Sequence, residues 1–231
     1  GPLLGRPKSA TYRTSDVVGL DTMAHVIKTM ADTLPQDPWH RYFGAPAWLQ
    51  ALIEKGALGQ KSGAGFFRKV GKDIQVLDLA RQDYRPADQK ASDEVAAILA
   101  LKNPAEKFAK LRASTDTQAQ FLWAMFRDLF HYTAYHLADI ADTARDVDFA
   151  IRWGYGWKLG PFETWQAAGW QQVAGWIAED IAAGKAMSSA PLPAWVTDGR
   201  QGVHGADGSF SPKAGKALPR SAHPVYRRQR F

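Results

Sequence analysis

There is no cysteine among the 231 residues, which excludes disulfides, thiolate zinc sites and cysteine nucleophiles together and suits a cytosolic protein. No apolar run approaches the roughly eighteen residues that mark a membrane-spanning helix, and no basic-then-apolar signal segment opens the chain. An initiator Met is also missing and the chain starts inside a motif, so it is expected to be a fragment of something longer. Gly1-Pro2 is either native or a tag-cleavage scar. Dense basic patches are scarce too. The net charge of +6 and pI near 9.5 come from scattered Lys and Arg, and the one dense run, Arg227-Arg228-Gln229-Arg230, lies at the extreme end. Nucleic-acid binding needs basic residues gathered on one face with aromatics between them, so neither nucleic acid nor membrane is expected as a partner. A phosphate-bearing small ligand or a plain solvated surface accounts for the charge.

What the chain does contain is a repeat, and repetition decides architecture before any single element does. Lys8, Tyr12, Thr14 and Gly19 stand 150 positions before Lys158, Phe162, Thr164 and Gly169, and Pro46-Ala47-Trp48 returns as Pro193-Ala194-Trp195. Gly56, Gly59, Gly65 and Phe67 then return at a new constant offset as Gly199, Gly202, Gly208 and Phe210. The first copy lacks its front half. The pattern predicts a first module over 1–78, a charged linker over 79–91 and a second, looser module over 92–231.

Periodicity makes the chain all-α with one small hairpin. Thr14 or Ser15 is expected to cap a helix that carries Leu20, Met23, Ala24, Ile27 and Met30 and ends before Pro35. Pro46 starts a shorter helix closed by Gly56. Phe66 to Val70 and Ile74 to Leu77 read as the hairpin. Ser92 and Asn103-Pro104 open two further helices. From Thr117 to about Asp142 runs the longest helix, apolar on nearly every side and therefore expected at the centre of the core. Thr143 caps the next, which stops at Gly154. A short helix follows at Pro161, then a helical stripe from Trp170 to Ile181. Beyond Pro191 an extended arm is expected.

Motifs that could carry chemistry are few. Gly154-Tyr155-Gly156 with Gly160, and Gly63-Ala64-Gly65, resemble dinucleotide fingerprints in composition. That motif, however, must leave a strand and open a helix, and neither does. His131 and His136 share a helix but are five apart, whereas a metal pair wants four. Asp139, Asp142, Asp146 and Asp148 cluster around helix termini, where carboxylates offset the helix dipole. Trp153, Trp157, Trp165, Trp170 and Trp176 form the densest tryptophan patch, suited to core packing or to an interface. Ser9, Ser62 and Ser209 lack nucleophile-elbow surroundings. No catalytic, cofactor-binding or metal-ligating residue is expected in this chain.

The run Gly5-Arg6-Pro7-Lys8-Ser9-Ala10-Thr11-Tyr12-Arg13-Thr14-Ser15-Asp16-Val17-Val18-Gly19-Leu20-Asp21 resembles the C-terminal part of bacterial 3-hydroxyacyl-CoA dehydrogenases, in the large multifunctional fatty-acid β-oxidation form. Leu58-Gly59-Gln60-Lys61-Ser62-Gly63-Ala64-Gly65-Phe66-Phe67 is similar to that family's glycine-rich signature, and Asp148 through Glu163 to its helical core. The resemblance implies two 6-phosphogluconate-dehydrogenase C-terminal-like helical modules. It also implies NAD bound by a Rossmann domain that is absent here, together with the catalytic His-Glu pair. An acyl-CoA substrate, a possible homodimer and, in fused forms, a following hydratase domain near Arg230-Phe231 are implied as well. The family's substrate-contacting Asn would fall within Gln120-Phe121-Leu122-Trp123-Ala124, where no Asn stands. The second copy is therefore expected to be noncatalytic, and the chain to serve acyl-CoA cleft formation and subunit or domain packing. The rival reading is a noncatalytic helical dimerisation module.

Overall fold

A computed structural model describes residues 1–88 and 90–223; the run Arg227-Arg228-Gln229-Arg230 and the terminal Phe231 lie outside the described residues. The chain forms two compact units, one of Gly1–Pro2 with Pro7–Lys90 and one of Leu3–Arg6 with Ala91–Phe231. No helix among the described residues is long and apolar enough to cross a membrane.

In the first unit the helix expected from Thr14 or Ser15 is two helices, α1 (Ala10–Val18) and α2 (Leu20–Thr33). Thr14 and Ser15 lie inside α1 and are not caps: their hydroxyls donate back to the carbonyls of Ala10 and Thr11, at 2.5 and 3.0 Å. The break is Gly19, whose φ of 106° is one that side chains rarely tolerate. It frees the Leu20 N–H to donate to the Leu58 carbonyl at 3.0 Å, tying the start of α2 to the glycine-rich segment. Helix α3 (Ala47–Glu54) follows Pro46 as expected, with Gly56 left-handed behind it at φ 74°. Leu20 and Leu49, fully buried, meet Leu52 and Phe66 in a small core. Strands β1 (Phe67–Val70) and β2 (Asp73–Asp78) are the expected hairpin, with Phe67 opposite Val76. A third strand, β3 (Asp83–Pro86), pairs antiparallel to β2, so part of the stretch read as linker is sheet. Its residues are polar and end in proline, which edge strands accept and sequence patterns discount.

The second unit is built on α4 (Asp93–Ala100), α5 (Pro104–Ala113), α6 (Thr117–Ile140), α7 (Ala144–Tyr155), α8 (Pro161–Ala167) and α9 (Trp170–Ala182). Side chains of Ser92, Asn103 and Asp116 accept the first free N–H groups of α4, α5 and α6, which is why those helices start where they do. Helix α6 is central, burying Phe126, Phe130 and Leu137, but it is not covered throughout: Phe121 is 63% and Ile140 60% exposed. Gly156, left-handed at φ 65°, closes α7 one residue beyond Tyr155. The arm expected beyond Pro191 is folded. It holds a 3-10 turn at Ala194–Val196 and a second antiparallel sheet of β4 (His204–Gly205), β5 (Gly208–Ser211) and β6 (Lys216–Leu218). These strands are two to four residues long, too short for a periodicity to show. The class is therefore mostly helical, with two small three-stranded sheets among the described residues where one hairpin was expected.

The element order carries the repeat: helix, helix, a helical segment opening at Pro-Ala-Trp (α3 in the first unit, the 3-10 turn Ala194–Val196 in the second) and an antiparallel meander occur in both units. Leu20 and Trp170, 150 positions apart, open corresponding helices.

Candidate functional site

The first unit is held by one carboxylate. Asp16, 7% exposed on α1, accepts the Phe66 N–H at 2.7 Å and the Phe67 N–H at 2.8 Å, fastening the start of β1 to the helix fifty residues earlier. Burial pushes its pKa above the usual carboxylate value; the two N–H groups and nearby Arg13 pull the other way without cancelling the effect. The glycines of the signature follow from this contact. A Cβ on Gly65 would overlap the Asp16 carboxylate, and one on Gly59 would overlap the Asp16 backbone.

Beside that anchor lies an open cleft of about 550 Å³, lined by α1, the Gln60–Gly63 turn and the first strands. Lys8, Arg13, Arg68 and Lys69 stand around it. The Arg13 guanidinium lies 5.0 Å from the Phe67 ring centre and that of Arg68 lies 4.2 Å from Tyr84, so both are propped on aromatic faces. The Arg68 Nε also donates to Gln75 at 2.7 Å. None of the four cations forms an ion pair with a carboxylate among the described residues, and Asp16, the one acid lining the cleft, has both oxygens engaged. Such an arrangement can hold an anion. Its hydroxyls are engaged locally: Ser9 lies 3.0 Å from the Thr14 hydroxyl, and Ser62 is bound within its own turn.

Neither glycine motif has the setting of a dinucleotide fingerprint. Both sheets are antiparallel, Gly154-Tyr155-Gly156 ends α7, and Gly63-Ala64-Gly65 leads from a 3-10 turn into β1. The strand, glycine turn and helix that would cradle a pyrophosphate are not assembled at either place.

In the second unit Gln166 occupies the position of Asp16 and does a related job. Its Oε1 accepts from Val203 and His204 N–H at 2.9 and 3.0 Å, and its amide donates to the His204 carbonyl. Gly202 leaves it room, as Gly65 does for Asp16. By these hydrogen bonds Gly65-Phe66-Phe67 corresponds to Gly202-Val203-His204, which revises the pairing of Gly65 with Gly208 and of Phe67 with Phe210.

Two buried polar networks account for the other candidates. Asp148, fully buried, accepts from the Phe162 and Glu163 N–H groups at the start of α8, at 2.8 and 3.2 Å, and from His204 Nε2 at 2.7 Å. Burial raises its pKa, with His204 opposing. Ser209 lies 3.0 Å from His204 Nδ1, so Asp, His and Ser stand in a row, but Ser209 is fully buried and its oxygen accepts the Arg145 N–H at 3.0 Å. The row pins the second sheet to α7 and α8; an acyl group cannot reach the serine. His204 was not singled out from sequence. Its place opposite Ser209 across β4 and β5 is visible only in the fold, because strands this short carry no period. The second network joins α6 to α9: Trp123 Nε1 and Arg127 donate to Asp180 at 2.8 and 3.2 Å, while Arg127 pairs with Asp128 at 2.7 Å.

His131 is fully buried with Nε2 2.8 Å from the Ala190 carbonyl, and burial lowers its pKa. His136 instead packs between Tyr132 and Tyr135. The structure does not bring the two histidines to one site. Asp146 closes the capping box of α7 with Thr143, while Asp142 reaches Lys213 only at 3.8 Å. The tryptophans separate as well: Trp165 and Trp170 stack at 4.2 Å in the core, whereas Trp153 is 58% exposed and stacks on Phe149.

Residues 3–69, which hold the Asp16 anchor and most of the basic cleft, match the family model for the 3-hydroxyacyl-CoA dehydrogenase C-terminal domain. Over these residues the chain is similar to the 3-hydroxyacyl-CoA dehydrogenase C-terminal domain. A probable 3-hydroxyacyl-CoA dehydrogenase of Bacillus subtilis is 40% identical over 198 residues, 86% of this chain and 24% of that protein. A putative fatty acid oxidation complex trifunctional enzyme of Rickettsia felis is 26% identical over 74% of this chain and 23% of its own length. A probable 3-hydroxyacyl-CoA dehydrogenase of Deinococcus radiodurans is 37% identical over 39% of this chain and 25% of that protein. The chain thus spans about a quarter of the length of these curated relatives. Among solved structures, 3-hydroxybutyryl-CoA dehydrogenase from Escherichia coli is similar at 16% identity and a TM-score of 0.45, over 79% of this chain and 51% of that one. Within residues 3–69, the glycine-rich signature is thus the segment that Asp16 fastens to α1.

Proposed function

We propose that residues 1–231 are the helical part of an NAD-dependent 3-hydroxyacyl-CoA dehydrogenase of fatty-acid β-oxidation, working in the cytoplasm. The match of residues 3–69 to the dehydrogenase C-terminal domain carries this reading. The whole enzyme would oxidise a 3-hydroxyacyl-CoA to the 3-ketoacyl-CoA, passing hydride to NAD. The cofactor supplies that chemistry when bound. NAD and the proton-abstracting residues belong, in this reading, to a Rossmann domain outside residues 1–231, since the glycine motifs here do not fit a dinucleotide. The contribution of this chain is a wall of the acyl-CoA cleft, with Lys8, Arg13, Arg68 and Lys69 facing the phosphates of coenzyme A. The absence of a carboxylate partner for these four cations among the described residues supports that assignment. Phe121, Trp153 and Tyr155, each more than half exposed, suit the packing of a subunit or domain against the second unit.

Calorimetric titration of the chain with coenzyme A, dephospho-coenzyme A and NADH tests the reading. Coenzyme A should bind in a salt-sensitive way and more tightly than its dephospho form, and the pair Arg13→Glu with Lys69→Glu should weaken it at least tenfold. Micromolar binding of NADH, or coenzyme A binding indifferent to both charge reversals, would contradict it.

A further inference from the structure

The second unit contains a groove that none of the foregoing uses. Leu3–Arg6 run along it as a strap, held where the Lys158 N–H donates to the Gly5 carbonyl at 2.8 Å. The Arg6 guanidinium lies 4.0 Å from the Trp157 ring centre and 5.5 Å from that of Phe126, with Nη1 3.4 Å from the Met125 sulfur. Between the strap, α5, residues 157–159 and the second half of α8 is a space of about 380 Å³. Its floor is Phe108, Leu111 and Phe126, at most 5% exposed, and its walls include Leu4, Trp157 and Leu159. Two cations, Lys107 and Lys158, also line it.

The charges are the informative feature. Neither lysine, nor Arg6 beside them, has an ion-pair partner among the described residues, and the Arg6 Nε is buried without a hydrogen-bond partner. The Arg6 guanidinium has aromatic faces and a sulfur for neighbours but no anion among the described residues, so an approaching anion is attracted to it. A groove of apolar side chains edged by free cations is complementary to a row of methylenes ending in a negative charge. The size suits about ten to twelve carbons at the packing density of protein interiors. It is too small to enclose a nucleotide as well.

We propose that this groove binds a medium-chain fatty carboxylate, its methylenes along Phe108, Leu111 and Phe126 and its carboxylate at Lys107, Lys158 and Arg6. The site belongs to the module expected to be noncatalytic, and the inference does not rest on the dehydrogenase reading or on the basic cleft of the first unit.

Titration calorimetry of the chain with octanoate, decanoate and dodecanoate tests it, with decanol and decanoyl-CoA as controls. Burial of each added methylene should tighten binding about three- to fourfold. Lys107→Glu combined with Lys158→Glu should weaken decanoate at least tenfold and leave decanol unchanged. Ala167→Phe, at an exposed position lining the groove, should remove both. Leu159→Trp, 45% exposed in the wild type, offers a second obstruction should the first variant fold poorly. Affinity independent of chain length, binding indifferent to these substitutions, or decanoyl-CoA bound where decanoate is not, would each overturn the proposal.

Discussion

Replacing Asp16 measures how the first unit is held together. In Asp16→Ala, the Phe66 and Phe67 N–H groups lose their acceptors, one buried and one half-buried. Hydrogen bonds to a charged acceptor contribute about 1.5–3 kcal/mol each, and water can replace only the more accessible of the two. The expected loss is about 3 kcal/mol, a large fraction of the stability of a domain this size. Asp16→Asn keeps one acceptor oxygen and should cost about 1 kcal/mol. Urea unfolding gives both differences, and amide exchange at Phe66 and Phe67 reports the bonds themselves. The carboxyl adds a pH signature. Burial raises its folded pKa above the ordinary 3.8, so the folded state binds the proton more tightly than the unfolded chain. The proton-linked part of its contribution is therefore full below 3.8 and is lost as the pH rises through the folded value, a slope that Asp16→Asn abolishes, while the two hydrogen bonds persist at neutral pH. Equal stability of Asp16→Ala and Asp16→Asn, with unchanged exchange at Phe66 and Phe67, would refute the reasoning.

Gly65→Ala should destabilise the first unit by about 1–3 kcal/mol, because the added methyl meets the Asp16 carboxylate; urea unfolding checks it. Arg127→Ala leaves Asp128 without its buried partner and Asp180 with only Trp123 and a longer contact to Arg112, and should cost about 3–5 kcal/mol by the same measurement. Burial lowers the pKa of His131, so its contribution is present above the unfolded pKa of about 6.5 and is lost as the pH falls through the folded value. Thermal unfolding between pH 7 and 4 should therefore show a shallower acid slope in His131→Gln than in the wild type.

Helix starts were legible because local chemistry sets them: Ser92, Asn103 and Asp116 accept N–H groups two or three residues ahead. The repeat was legible through Gly19, Gly169 and the Pro-Ala-Trp triplets, residues whose backbone roles recur. The Gly19 break was missed because the chain is helical on both sides of it, and a single glycine does not reveal its φ. Strand β3 and the second sheet were missed because short polar strands carry no period. The anchors were missed for another reason: Asp16 reaches Phe66 across fifty residues and Asp148 reaches His204 across 56, separations that no spacing rule spans. The basic cleft, likewise, exists only once α1 and β1 are fastened together, so its four cations look scattered in the sequence.

The central claim is that this chain supports a hydride transfer it does not itself perform. Oxidation of NADH by acetoacetyl-CoA, followed by absorbance, tests it most directly, with residues 1–231 assayed alone and then mixed with the separately expressed Rossmann domain of a curated relative. The account predicts no turnover by the chain alone and a rate above that of the Rossmann domain when the two are combined. Turnover by residues 1–231 alone, or a Rossmann domain equally active without them, would contradict it.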